Sequence, residues 1–177
     1  MAFIIGKCAF MKNSMHVART ISYLERQSAL FSDSGELNFE QAYQSYIDAS
    51  PPRVWHHIIS LSAEDAQRLN VDREYMKQLL CVEQSRIAEA YNTVPSNMRI
   101  VASWHEKDHH PHLHLLFYST DRREGGVWAH TDQEAKVKLN DASEKVKSLF
   151  ANRIFTDDLA PLKEIKNMRR AELNQQV

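Results

Sequence analysis

"HEKDHHPHLHLLFYS", residues 105–119, gathers five of the chain's nine histidines into ten positions and runs directly into an apolar stretch. Alternation decides how it is read. In a strand, residues two apart share a face, so His110, His112 and His114 fall on one side while Leu113, Leu115 and Phe117 fill the other. The preceding "MRIVASWHE" (98–106) is equally rich in strand formers, and "KDHH" is short, so the two segments predict an antiparallel hairpin. The Leu/Phe side is the natural core side, which leaves the imidazoles on the opposite surface. His112 and His114 stand about 7 Å apart along such a strand, so their rings can converge on one ion. A third ligand must come from the neighbouring strand, and His105 ends that strand. Three neutral imidazoles with open positions suit a catalytic divalent cation better than a closed structural one. The plainer alternative is a solvated histidine-rich loop, and the match of spacing to strand geometry counts against it. His109 belongs to the loop, and His110 stands beside the ligands or along a phosphate path.

Outward from the hairpin, helices and strands alternate. "AFIIGKCAF" (2–10) is a strand, and "NSMHVARTISYLERQ" (13–27) a helix with Asn13 or Ser14 as cap and Val17, Ile21 and Leu24 at helical spacing. "FSDSGELN" (31–38) is loop by composition, and "FEQAYQSYIDAS" (39–50) a helix stopped by Pro51-Pro52. "RVWHHIISLS" (53–62) is a strand, followed by a helix capped by Ser62 with Asp65 at the reciprocal position. "DREYMKQLLCVEQSRIAEAY" (72–91) is amphipathic, with Tyr75, Leu79, Val82, Ile87 and Ala90 near one face. After the hairpin "TDRREGG" turns, and the chain is helical from about residue 131, with an interruption expected at Pro161. The result is an α+β domain: a mainly antiparallel sheet of about five strands with helices on one face.

Composition sets limits rather than a function. The chain has 177 residues, 43% apolar and 25% charged, enough for one domain with a real core. No apolar run has the length of a membrane span. Cys8 and Cys81 are isolated, without metal or redox spacing, and read as reduced thiols of a cytosolic protein. A net charge of −1 lends nucleic-acid binding no support from composition, so any such claim must rest on a site.

The histidine pattern, His105 followed after five residues by Pro111-His112-x-His114, resembles the third motif of HUH-superfamily relaxases, H-x-D-x-x-x-P-H-x-H. One position departs: Lys107 stands where that family has an acidic residue, flanked by Glu106 and Asp108. "HVARTISYLERQ" is similar to the first relaxase motif, and "WHHIISLSAEDAQRL" to the second, so the likeness to MobA/MobL-type mobilisation nucleases spans the chain in order. The resemblance implies that residues 1–177 form one relaxase catalytic domain. It implies one divalent ion on His105, His112 and His114, Mn²⁺ or Mg²⁺ foremost, with Zn²⁺, Ni²⁺ and Co²⁺ as alternatives. Tyr23 would be the nucleophile, joined to DNA through a 5′-phosphotyrosine. Glu106, Asp108 and His110 would stand behind the ligands or along the phosphate path. Ser60, Arg19, Arg26, Lys107, Arg122 and Arg123 would contact DNA, with Trp104, Trp128 and Tyr118 as stacking faces. The partners implied are single-stranded or hairpin DNA at an origin of transfer, relaxosome accessory proteins and a type IV coupling protein, in a bacterial cytoplasm.

Two other readings use the same letters. His110-Pro-His112-Leu-His114-Leu-Leu fits the pattern of histidine-triad nucleotide hydrolases, which need no metal, but leaves His105 and the Tyr23 helix idle. A DNA-binding replication or transfer module without catalysis would bind DNA and leave it intact.

Overall fold

The computed structural model describes residues 4–11, 13–124 and 132–174. Six strands and six α-helices follow in the order β1 (Ile5–Met11), α1 (Ser14–Gln27), β2 (Leu30–Phe31), β3 (Glu36–Leu37), α2 (Phe39–Ala49), β4 (Val54–Ser60), α3 (Ala63–Arg68), α4 (Arg73–Ala90), β5 (Met98–His105), β6 (His112–Ser119), α5 (Asp132–Ile154) and α6 (Thr156–Asn174). The strands form one antiparallel sheet in the order β1-β4-β6-β5-β2-β3. The α+β, mainly antiparallel class expected from the sequence is therefore the class observed, with β6 near its middle.

The helices cover both faces, not one. Leu113, Leu115 and Phe117 pack with Ile59, Ala102 and Trp104 beneath α4 and α5, in one core with Met76, Leu80, Ile87, Val146 and Phe150. Leu116 and Tyr118, on the other side of the same strand, join Val101 and Val54 in a second core under α1 and α2, built on Val17, Ile21, Leu24, Ala42 and Tyr46. The cause is in β6 itself: past the histidines both of its faces are apolar, and each must be covered.

Other differences are local. The segment read as a loop holds the second residue of β2 and the whole of β3, strands of two residues each, closed by a turn in which Ser32 N donates to Gly35 O at 2.7 Å. Gly35 has φ +150°, a conformation that L side chains rarely adopt. In α4 the inward face carries Met76, Leu80 and Glu83, while Val82 is 66% exposed. Glu83 is buried because Arg153 of α5 donates to it and Arg86 stands 3.5 Å away. The break between the last helices falls at Phe155, which turns inward with Ile154, and α6 runs on through Pro161.

Helix α1 is the element that positions the site. Asn13 caps it, accepting from Met15 N at 2.8 Å. It leaves the sheet at β1, on one edge, and re-enters it at β2, beyond β5. The lateral distance between those strands is four spacings, about 19 Å, and a helix of this length spans about 21 Å. The helix therefore has to lie across β4, β6 and β5. Ser103 of β5, buried, fastens its far end by donating to Leu24 O at 3.4 Å and Ser28 O at 3.3 Å.

On the opposite face His57 of β4 is fully buried, its Nε2 2.6 Å from Tyr91 Oη, which also meets Cys8 Sγ at 3.4 Å. Burial, then the neighbouring His56, depresses the His57 imidazole to about 4. The folded protein thus keeps His57 neutral while the unfolded chain takes up a proton near pH 6.5, and stability is fully present above that value. It falls as the pH drops from about 6.5 towards 4, by on the order of 3 kcal/mol from this group alone. Denaturant titrations across that range should show the slope, to which the other histidines depressed by burial add, and His57→Phe should make it shallower; identical slopes for both proteins would refute the assignment.

Candidate metal centre and active-site face

The hairpin register builds the site. His112 lies opposite His105 on one side and Ser60 on the other, and His114 lies between Ser103 and Ile58. Directly opposed residues of an antiparallel pair point to the same face, so the three imidazoles form a triangle at one end of the sheet. The ring centroids are 5.1 Å apart for His105–His112, 4.6 Å for His105–His114 and 5.0 Å for His112–His114. One ring nitrogen from each lies within 4.8 Å of the other two, so the triad can hold a metal ion.

The state of the nitrogens fits that use. His112 Nδ1 donates to His110 O at 2.8 Å, which leaves Nε2 free to ligate. His114 Nδ1 faces His56 Nε2 at 2.9 Å. His105 is buried with neither nitrogen hydrogen-bonded, a costly arrangement for an imidazole unless a further group completes it. Burial holds two of the rings neutral. It lowers His105 to about 4, with help from His112 and Lys107, and His114 to about 3, with help from His56, His105 and His112. Neutral imidazole is the form that binds a cation.

Tyr23, in the last turns of α1, stands over this triangle. Its ring centroid is 6.1 Å from that of His105 and 6.5 Å from that of His114, both edge-on, and the side chain is 45% exposed. Among the described residues no other tyrosine ring meets the triad. Tyr46 and Tyr118 pack together at the opposite end of β6, and Tyr91 lies on the other face. Tyr23 shares an open groove of about 660 Å³ with Asn13, His16, Arg19, His56 and His114. His16, Arg19, Tyr23 and Arg26 are spaced to form one stripe along α1, and all four are exposed.

The remaining candidates divide. Ser60 borders the triad as the partner of His112, and Lys107 approaches the end of α1, with Nζ 3.5 Å from Gln27 Oε1. His110 contributes its carbonyl, while its side chain is exposed outside the strand. Glu106 and Asp108 lie in the exposed loop and line a separate depression with Trp104 and Pro111; among the described residues neither bonds to a triad nitrogen. Arg122 and Arg123 follow the opposite end of β6, away from the triad, and Arg123 pairs with Asp121 at 3.0 Å. Trp104 and Tyr118 are buried in the two cores and offer no stacking face, and Trp128 lies outside the described residues. His56 was not singled out from sequence as a partner of His114. Alternation along the strand puts one of His56 and His57 on the outward face, and only the β4–β6 register reveals that it is His56 and whom it meets.

The family model of the MobL relaxases matches residues 10–177. The chain belongs to the MobL relaxases. No curated protein and no solved structure gives a significant match. Membership gives the relaxase its general activity, that of a DNA-nicking relaxase, and sets aside the histidine-triad hydrolase reading. The geometry points the same way, since His110 is outside β6 and His105 completes the triangle instead. No helix among the described residues is long and apolar enough to cross a membrane.

If the triangle binds an ion, the ion will stabilise the fold. At a Mn²⁺ concentration a hundred times the dissociation constant the gain is about 2.7 kcal/mol, worth several degrees in Tm for a domain of this size. The shift should appear in thermal melts of the wild type and vanish in His112→Ala. An equal shift in both would place the ion elsewhere.

Proposed function

We propose that this relaxase is a metal-dependent, strand-specific endonuclease and transesterase that nicks single-stranded or hairpin DNA at an origin of transfer through a 5′-phosphotyrosine on Tyr23. The observation that carries the reading is the exposed Tyr23 ring standing over two histidines of a three-imidazole cluster. Residues 1–177 act as one catalytic domain, helical from about residue 131, in the bacterial cytoplasm.

His105, His112 and His114 would hold one divalent ion, and imidazole ligands suit Mn²⁺, Zn²⁺, Ni²⁺ or Co²⁺ better than Mg²⁺. When bound, the ion supplies positive charge against which the scissile phosphate is neutralised and oriented. The protein's own residues do the rest. The rigid helix α1 holds the phenol at the triad, and such positioning can contribute several kcal/mol to the rate. Tyr23 Oη attacks phosphorus as the P–O3′ bond breaks, the phenolic proton leaves to the water of the open groove, and the 3′ oxygen departs to become a hydroxyl. The phosphotyrosine ester retains the energy of the broken bond, so the same site can rejoin the ends.

Arg19 and Arg26 flank Tyr23 on its stripe, one turn on either side. Together with Lys107 and Ser60 they supply phosphate contacts around the scissile position, which position the strand without reading its sequence. Arg122 and Arg123, at the other end of β6, fit only a substrate long enough to follow the sheet. Relaxosome accessory proteins and a type IV coupling protein would be the partners of such an enzyme.

Tyr23→Phe removes only the reacting oxygen. Strand cleavage should disappear while Mn²⁺ affinity and DNA binding change by less than about twofold, within the scatter of a neutral surface substitution. With a matching oligonucleotide the wild type should yield a covalent adduct that survives denaturing electrophoresis and maps to residue 23. An adduct on Tyr118, or cleavage by Tyr23→Phe, would remove Tyr23 from this role. Arg19→Ala combined with Arg26→Ala should weaken oligonucleotide binding and reduce its salt slope by between one and two units. An unchanged slope would show that the strand does not follow α1.

A further inference from the structure

The hydrogen bond between His56 and His114 has a direction, and only one direction leaves a metal ligand. Nε2 of His56 and Nδ1 of His114 stand 2.9 Å apart, so one ring donates and the other accepts. If His56 donates, a neutral His114 carries its proton on Nε2 and has no lone pair to present to the triangle. If His114 donates from Nδ1, its Nε2 is bare and can be the ring nitrogen that it offers to the triangle. The carbonyl of His110 settles the matching question for His112, because a carbonyl can only accept. For His114 the decision falls to His56.

We propose that His56 is the positioning residue of the metal centre: accepting at Nε2, with its own proton on Nδ1, it fixes His114 as the Nδ1–H tautomer. The proposal rests on the reading of His105, His112 and His114 as the metal site. A metal-bound imidazole usually has a carboxylate or a carbonyl behind it, and neither Glu106 nor Asp108 occupies that place here. The sheet puts an imidazole there instead. His56 pairs with Leu116 on β6 and with Ala9 on β1, which sets it diagonally beside His114, two residues earlier on the same face. Its ring lies 5.2 Å from that of His114 and tilted by 30°. A neutral acceptor orients the ligand without adding negative charge next to it. The centre's whole positive charge then remains available to the DNA phosphate.

The test compares the full chain with His56→Gln, His56→Leu and His56→Glu. Glutamine keeps an acceptor, leucine removes it, and glutamate keeps it while adding charge. Nitrogen-15 spectra of the metal-free proteins report the His114 tautomer, and calorimetry reports Mn²⁺ affinity. The wild type should show His114 protonated on Nδ1. His56→Leu should lose that tautomer and bind Mn²⁺ about 10–100-fold more weakly, and His56→Gln should recover most of both. His56→Glu should bind Mn²⁺ at least as well as the wild type but bind single-stranded DNA more weakly in its presence. A His114 proton on Nε2 in the wild type, or an unchanged tautomer and Mn²⁺ affinity in His56→Leu, overturns the proposal. Undiminished DNA binding by His56→Glu overturns its electrostatic part. Should His56→Leu fail to fold, the wild-type tautomer and His56→Gln still decide. Wild-type Mn²⁺ affinity in His112→Ala would instead defeat the metal-site reading, while the tautomer, measured without metal, judges His56 separately.

Discussion

Everything at the candidate site depends on the register of β5 against β6. His105 and His112 are directly opposed only because the connection between them closes at one particular length. A slip of one residue would send His112 and His114 into the core beneath α4 and bring Leu113 and Leu115 to the groove. Both faces of β6 oppose that slip: Leu113, Leu115 and Phe117 are locked into one core, Leu116 and Tyr118 into the other. The apolar residues therefore do more than stabilise the domain. They hold the imidazoles in register at a distance from where the chemistry would occur.

The same burial sets the character of the imidazoles. His105 and His114 are almost wholly removed from water, and no carboxylate among the described residues bonds to either. A charged ring there would be costly, so the rings stay neutral and keep their lone pairs available. His56 extends this neutral system by one more imidazole, and the carbonyl of His110 closes it on the other side. Such a site would hold a cation through unused lone pairs rather than through negative charge, beside Arg19 and Arg26 of α1. That combination suits a centre whose partner is an anion.

How much of this was legible in the sequence follows from the range of each interaction. The hairpin and the facing of its histidines were legible because alternation over eight residues is a local signal, strengthened by the apolar residues between them. Helix α1 was legible through Val17, Ile21 and Leu24, and all three are buried. Strands of two residues carry no periodicity, so β2 and β3 read as loop. The inward face of α4 was misread at Val82 because an apolar residue normally outranks its neighbour for the interior. Glu83 takes that place only by virtue of Arg153, seventy positions away. Non-local pairing explains the rest: which strand lies beside β6 decides that His56 meets His114. Arg122 and Arg123 seemed near the histidines in sequence, but an extended strand separates them from the site.

Helix α1 enters from one edge of the sheet, crosses it, and is fastened on arrival by Ser103 and by the strand that follows. It behaves as a beam clamped at both ends, with its inner side bonded to the surface beneath. A beam of that kind permits little travel at any point along its length. If Tyr23 is the nucleophile, a substrate strand would have to bend, unstack and deliver its phosphate to a phenol carried on that fixed backbone. Selection among DNA sequences would then depend in part on how readily each one deforms into that position.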